Sequence, residues 1–236
     1  MRTLLWALVG WLVVGSAAAD APALQPYTAT YHVTYRGLNA GELRMQLTFD
    51  PATNRYTFET RAKPSVLARL VVGRDAIERT VVEMTPSGIR PLEWFLEDGK
   101  SGDGGDGKLI FDWSRGTVTG KFEGNAVELP TQPGLQDRLS IQLAVNAALA
   151  QGREPDTVVM LNGDRTREYT YENKGTAELN TKLGKLSTVI YESTRAGSDR
   201  VSKVWHAPSL EYLPVRVEQT RKGKVETVMV LQAIDR

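Results

Sequence analysis

Period-two alternation limits this chain more than any other feature. At 27–35, Tyr27, Ala29, Tyr31, Val33 and Tyr35 alternate with Thr28, Thr30, His32 and Thr34. Side chains two apart share one face of a strand, so the larger rings gather on one side. The next run sets Leu43, Met45, Leu47 and Phe49 opposite Glu42, Arg44, Gln46 and Thr48. Arg36-Gly37-Leu38-Asn39-Ala40-Gly41 supplies a turn between the two, and Asp50-Pro51-Ala52-Thr53-Asn54 supplies another before 55–63 continues the meander. Links this short favour antiparallel neighbours, because parallel ones need long crossovers.

Two segments leave the rhythm. Pro64 to Leu70 has room for one or two helical turns, with Val66, Leu67 and Leu70 on a common side. From Leu135 through Gln151 the apolar residues Leu135, Leu139, Leu143 and Val145 to Leu149 recur at helical spacing. Pro133-Gly134 precedes that run, Asp137 is placed to cap it and Gly152 ends it, so one main helix is expected near 135–151. Strands resume at 157–161, 167–173, 177–181, 185–194, 200–206, 213–220 and 225–233, with Lys222-Gly223 turning the last hairpin. The expected fold class is mainly β: a dozen or so strands in a large antiparallel sheet with one main helix. A sheet of that size does not stay flat, so it should curl into a barrel, half-barrel or sandwich. Pro214 is tolerated at a strand start or an edge, which predicts that the hairpin of 200–220 borders the sheet and turns Trp205 toward the apolar interior.

The N-terminus carries an address. Met1-Arg2-Thr3 leads into an apolar run from Leu4 to Val14, then Gly15-Ser16-Ala17-Ala18-Ala19 and the first acid, Asp20. A charged start, a short apolar stretch and an Ala-x-Ala end make a secretory signal. The run is too short for a permanent membrane helix. Cleavage after Ala19 is expected, leaving 20–236 as a single β-rich domain, soluble and outside the cytoplasm. With no cysteine there is neither a disulfide nor a lipid-attachment thiol, so the apolar core must suffice. Loss of Arg2 takes the formal charge from +1 to 0, which gives no basic excess for nucleic acid.

Chemistry-bearing groups are few. The two histidines are His32, on the polar face of the first strand, and His206, in Trp205-His206-Ala207-Pro208-Ser209 at a strand end. A nucleophile–base pair at His206 would need a serine and an orienting carboxylate supplied by the fold, and no Gly-x-Ser-x-Gly elbow is present. Gly99-Lys100-Ser101 resembles the end of a phosphate-binding loop, but Trp94 stands where the leading glycine belongs. Asp98, Asp103 and Asp106 among glycines could offer oxygens to calcium, yet their spacing fits no EF-hand; a flexible hairpin tip is the simpler reading of 98–107. No catalytic residue, metal site or cofactor is expected. Outside the leader the tryptophans are Trp94, Trp113 and Trp205. Core packing accounts for each, and a ligand groove is the sharper alternative that makes them the candidate ligand-binding residues.

The order of motifs resembles a family of exported bacterial proteins catalogued as domain of unknown function 3108. Tyr31-x-Val33-x-Tyr35-x-Gly37-x-x-Ala40-Gly41 and Asp137-Arg138-Leu139-Ser140 carry the likeness, followed by Thr181-x-Leu183-Gly184-Lys185-Leu186 and Trp205. Leu213-Pro214-Val215-Arg216-Val217-Glu218 completes it. The resemblance implies a periplasmic location and brings no activity with it. The ending from Trp205 to Glu218 is also similar to that of periplasmic lipoprotein carriers, half-open antiparallel barrels that hold acyl chains on the concave face. Two roles follow: a non-enzymatic protein binding a lipid or acylated protein in a curved sheet, or a structural or protein-interaction module of the cell envelope.

Overall fold

A computed structural model describes residues 24–72, 75–100 and 105–236. The expected leader and the middle of the 98–107 loop lie outside them. In the first half the strands are β1 (Tyr27–Tyr35), β2 (Leu38–Asp50), β3 (Arg55–Pro64), β4 (Ala76–Thr85) and β5 (Gly88–Glu97). Three short strands follow: β6 (Gly107–Asp112), β7 (Thr117–Phe122) and β8 (Asn125–Pro130). In the second half come β9 (Thr157–Asn162), β10 (Arg165–Thr181), β11 (Gly184–Thr194), β12 (Arg200–Ala207), β13 (Leu213–Arg221) and β14 (Lys224–Asp235). Helix α1 (Val66–Val72) interrupts the first half, with Val66 and Leu67 exposed. Helix α2 (Ser140–Ala150) separates the halves.

All fourteen strands form one antiparallel sheet in the order β8-β7-β6-β5-β4-β3-β2-β1-β14-β13-β12-β11-β10-β9. Each half is a meander, and the β1–β14 pair joins them through the two ends of the chain. Arg36-Gly37, Glu123-Gly124 and Lys222-Gly223 each carry positive φ at both positions. That is the two-residue turn whose twist matches the strands it links. The sheet is curved and not closed by hydrogen bonds: β8 and β9 are its two edges. Side chains bridge them instead. Leu161 and Val159 of β9 pack into the cluster that Trp94, Leu109, Phe111 and Val118 build on β5–β7.

The expected helical run divides at its N-terminal end. Leu135 and Gln136 are not helical; Gln136 forms an isolated parallel bridge with Met160, donating N–H to Val159 O at 2.8 Å and accepting from Leu161 N–H at 2.7 Å. Its side-chain amide donates to Ile89 O at 2.9 Å, so one residue staples the β4–β5 side of the curl to edge strand β9. A covered edge is also a blunted template for intermolecular pairing. At the other end α2 stops with Gly152 at φ 68, Arg153 N–H bonding Ala148 O and Gly152 N–H bonding Leu149 O. This is a Schellman close that only a residue free of Cβ enters cheaply.

Two other expectations are corrected. The runs 167–173 and 177–181 are one strand, β10, because a register shift between Asn173 and Thr176 absorbs the extra residues without ending the pairing. The β12–β13 hairpin does not border the sheet; it lies between β11 and β14. Pro214 is accommodated there because the register shifts between Trp205 and His206, which leaves Val215 unpaired beside it.

Candidate functional site

A cleft of about 600 Å³ lies between α2 and the sheet. Strand alternation supplies one wall. Val33 faces Met229 across β1–β14, and Met229 faces Val217 across β13–β14. Val217 in turn faces Val204 on β12. Leu43 and Met45 extend that wall along β2, and Met160 enters from β9. The opposite wall is Ile141, Gln142 and Val145 of α2, with Arg138 in the turn that leads into the helix. The remaining charged residues at the rim are Glu42 and Lys63, which pair across β2–β3 next to Leu43 and Ala62. Alternation turns their side chains to the outer face.

The start of α2 is held by a buried polar node. Asp137 Oδ1 accepts the Leu139 and Ser140 N–H groups, both at 2.8 Å, and Ser140 Oγ accepts the Asp137 N–H at 2.8 Å. Thr80 Oγ1, on β4, donates to Asp137 Oδ2 at 2.5 Å. Asp137 therefore caps the helix, as its sequence position predicts, and also ties it to the sheet. Burial pushes its carboxyl up, against the lowering pull of these hydrogen bonds. Glu78, two residues before Thr80 on the same face of β4, accepts Trp94 Nε1–H at 2.8 Å and lies 3.3 Å from Arg138 Nε. Burial raises Glu78 as well, partly offset by the Arg138 charge. The Arg138 guanidinium stands 5.9 Å from the Trp94 ring centroid, stacked on an aromatic floor and held by one carboxylate.

His206 lines the cleft from β12. Its Nδ1 is 2.8 Å from Tyr212 O, which can only accept, so Nδ1 carries the proton. The ring meets Tyr191 edge-on at 6.3 Å. Burial lowers its pKa to about 4, only partly countered by the Tyr212 bond. Among the described residues no serine or carboxylate bonds to it, and no group of acidic or histidine side chains is placed to hold a metal. Nothing in this arrangement indicates catalysis.

The three tryptophans are not brought together, and none is among the residues lining the cleft. Trp94 is buried in the β5–β8 cluster beneath Arg138 and tilts against Phe122 at 6.0 Å. Trp113 is half-buried, stacks on Phe111 at 6.5 Å and donates Nε1–H to Pro91 O at 2.6 Å, beside a separate space of about 300 Å³. Trp205 is buried in the main core cluster, the apolar interior expected for it, on the opposite face of β12 from Val204 and His206 and paired across the strands with Ile190. Lys203 and Arg216 stand 5.4 and 5.6 Å from its ring centroid. Sequence reasoning did not single out Arg138, His206 or Met160 for the cleft. For Arg138 a signal existed, the helical spacing it shares with Ile141, Gln142 and Val145.

In the 98–107 loop, Asp106 Oδ1 accepts the Asp98 N–H at 3.0 Å, and Asp103 lies outside the described residues. Among the described residues no helix is long and apolar enough to cross a membrane.

The model of the family described as "Protein of unknown function (DUF3108)" matches residues 30–230. No curated protein matches the chain. Among solved structures, a β-barrel-like protein of domain of unknown function DUF1849 from Brucella abortus superposes with a TM-score of 0.54 at 11% identity, covering 89% of this chain and 97% of that one. A candidate lipoprotein from Parabacteroides distasonis gives 0.36 at 12% identity, covering 91% and 97%. A candidate exported protein with a YmcC-like fold from Bacteroides fragilis gives 0.34 at 13%, covering 91% and 98%. The Brucella structure shares the barrel-like fold; the other two superpose too loosely to carry that statement.

Proposed function

The chain belongs to the DUF3108 family, and from that premise, which brings no activity with it, we propose that it is an exported, non-enzymatic protein that binds an apolar or amphipathic ligand under α2. The observation that carries this reading is the cleft. Its volume falls within the ~300–1,000 Å³ typical of small-molecule sites, and such sites are mostly apolar with few convergent polar groups. Three of its lining residues are Met45, Met160 and Met229, unbranched side chains that re-pack around ligands of varied shape. A lipid, or the acyl chain of an acylated protein, has the matching chemistry. Export rests on the 1–19 leader, with the periplasm as the destination.

Native mass spectrometry of the protein purified from its own periplasm tests the reading. A mass beginning at Asp20 with retained lipid is expected. A bare polypeptide that takes up no amphiphile on titration overturns ligand binding, and an intact Met1 in the membrane fraction overturns export. One feature favours a second reading, an interaction module of the envelope. Ser65 bonds Ala40 O and Asn39 O, which sets the exposed Val66 and Leu67 beside the exposed Leu38.

A further inference from the structure

We propose that the cleft selects an anionic single-chain amphiphile, and that the guanidinium of Arg138 receives its head group. This rests on the ligand-binding reading above and adds the chemical class. The cleft wall is apolar from Val33 through Met229, Val217 and Val204, and a chain lying along it desolvates few polar groups; Ser193, Ser202, Gln219 and Thr227 add an uncharged polar stretch to the lining. One place in the lining is charged. Arg138, in the turn that leads into α2, is the charged side chain that faces the cleft; its guanidinium meets Glu78 Oε1 through Nε at 3.3 Å. Among the described residues neither Nη group has a hydrogen-bond partner. Those two nitrogens form the edge with which arginine takes a carboxylate or phosphate in two parallel bonds. The Trp94 ring beneath and the Glu78 contact fix the plane of the fork, so little rotamer freedom remains to be lost on binding. Gln142, one turn further along, also lines the cleft, with its amide donating to Met45 Sδ at 3.7 Å. An empty site costs little because the side chain is about one-third exposed. A bound anion closes a triad of Glu78, Arg138 and ligand head.

The head group could be a fatty-acid carboxylate or the phosphate of a lysolipid; the shared chemistry is one anion on one apolar chain. The full mature protein is titrated with four amphiphiles of matched chain length: palmitate, lysophosphatidic acid, hexadecanol and hexadecyltrimethylammonium. Displacement of a fluorescent apolar probe is the readout. The anions are expected to bind about tenfold or more tightly than the alcohol, with the cation weakest, and the order of the two anions identifies the source. Arg138→Met should bring the anions down to the level of the alcohol and leave the alcohol unchanged. Equal binding of all four by the wild-type protein overturns the head-group assignment while leaving ligand binding intact; binding of none overturns both. The wild-type ranking needs no variant. Should Arg138→Met fail to fold with Glu78 left unpaired, the double variant Glu78→Gln, Arg138→Met removes both charges and is held to the same expectation. A variant that loses alcohol and anion binding in equal proportion makes Arg138 a structural residue and overturns the proposal.

Discussion

His206 is a buried neutral imidazole, and acid should find it. Its pKa is lowered from 6.5 to about 4 by burial, so between those values the unfolded chain binds a proton that the folded one refuses. Stability then rises with pH across that window and is lost as pH falls through it. Taking the two values at face, the loss between about pH 7.5 and about pH 4.5 is roughly 2–3 kcal/mol. That is a large share of the ~5–15 kcal/mol that holds a domain together. Glu78 and Asp137 act in the opposite sense. Their carboxyls are raised by burial, so falling pH relieves the cost of their charged forms in the folded state. A difference measurement removes them. His206→Asn keeps a donor toward Tyr212 O and cannot titrate. Urea unfolding of wild type and variant at several pH values gives the stability gap between them. The gap should shrink by roughly 2–3 kcal/mol from about pH 7.5 to about pH 4.5. A gap that stays constant would falsify the claim that the ring is buried neutral, and a gap that widens would reverse its sign.

Three further outcomes follow from the same geometry. Asp137→Ala leaves two buried helix N–H groups without their acceptor, while the Thr80 hydroxyl keeps Glu93 O at 3.1 Å, and should cost about 2–3 kcal/mol by urea unfolding. Asp137→Asn, a neutral acceptor of the same shape, should cost under about 1 kcal/mol, and equal losses for the two would show that charge rather than geometry matters. Gly41 has φ +127 and an added Cβ would stand 2.2 Å from Lys63 O, so Gly41→Ala should destabilise by more than about 2 kcal/mol; a neutral result would mean that the β2–β3 contact yields. Leu143 is buried in the main core cluster, so Leu143→Asp should lower the melting temperature sharply, with a loss of about 3 kcal/mol or more. An unchanged melt would make α2 peripheral.

The strands were legible because one face of each is buried and the period of two is strict; β1 and β2 are bounded almost where alternation puts them. What alternation cannot say is which face is concave. One step along β12 exchanges Val204 and His206 for Trp205, and bulk alone favours the tryptophan as a cleft residue. The other face gives no contrast there, since Ile190 and Trp205 are themselves buried in the main core cluster. Joining the β10 segments needed the paired strand, because a bulge looks like a turn until its partner is known. Pro214 shows the same limit, as its rule for edges assumes a regular ladder and the register shift at His206 suspends it. The helix start was misjudged because Leu135 is apolar at helical spacing, yet it is spent on the β5–β8 cluster.

The two faces of α2 divide the labour of the site, and a chain-length series measures the division. Leu139, Leu143 and Ala147 fill the main core cluster and Val145 packs with Leu149 and Tyr191, while Ile141 and Gln142 line the cleft with Val217 and Met229. The helix is anchored at its start by the Asp137–Thr80 node, so its cleft face does not have to pack to hold it in place. A ligand chain therefore replaces water along an apolar wall without displacing protein. Each methylene buried there should contribute about 0.8 kcal/mol, or roughly fourfold in affinity. Competition by saturated fatty acids of increasing length should show that rise and then a plateau once the cleft is full. The methionines blur the plateau, because Met45, Met160 and Met229 can yield to one more carbon at small cost. Arg138 stays fixed while the chain grows, so its contribution should be the same at every length, and the curves for wild type and Arg138→Met should run parallel. Curves that converge as the chain lengthens would mean that long chains abandon the arginine. Affinity independent of length would mean that the cleft is not where they bind.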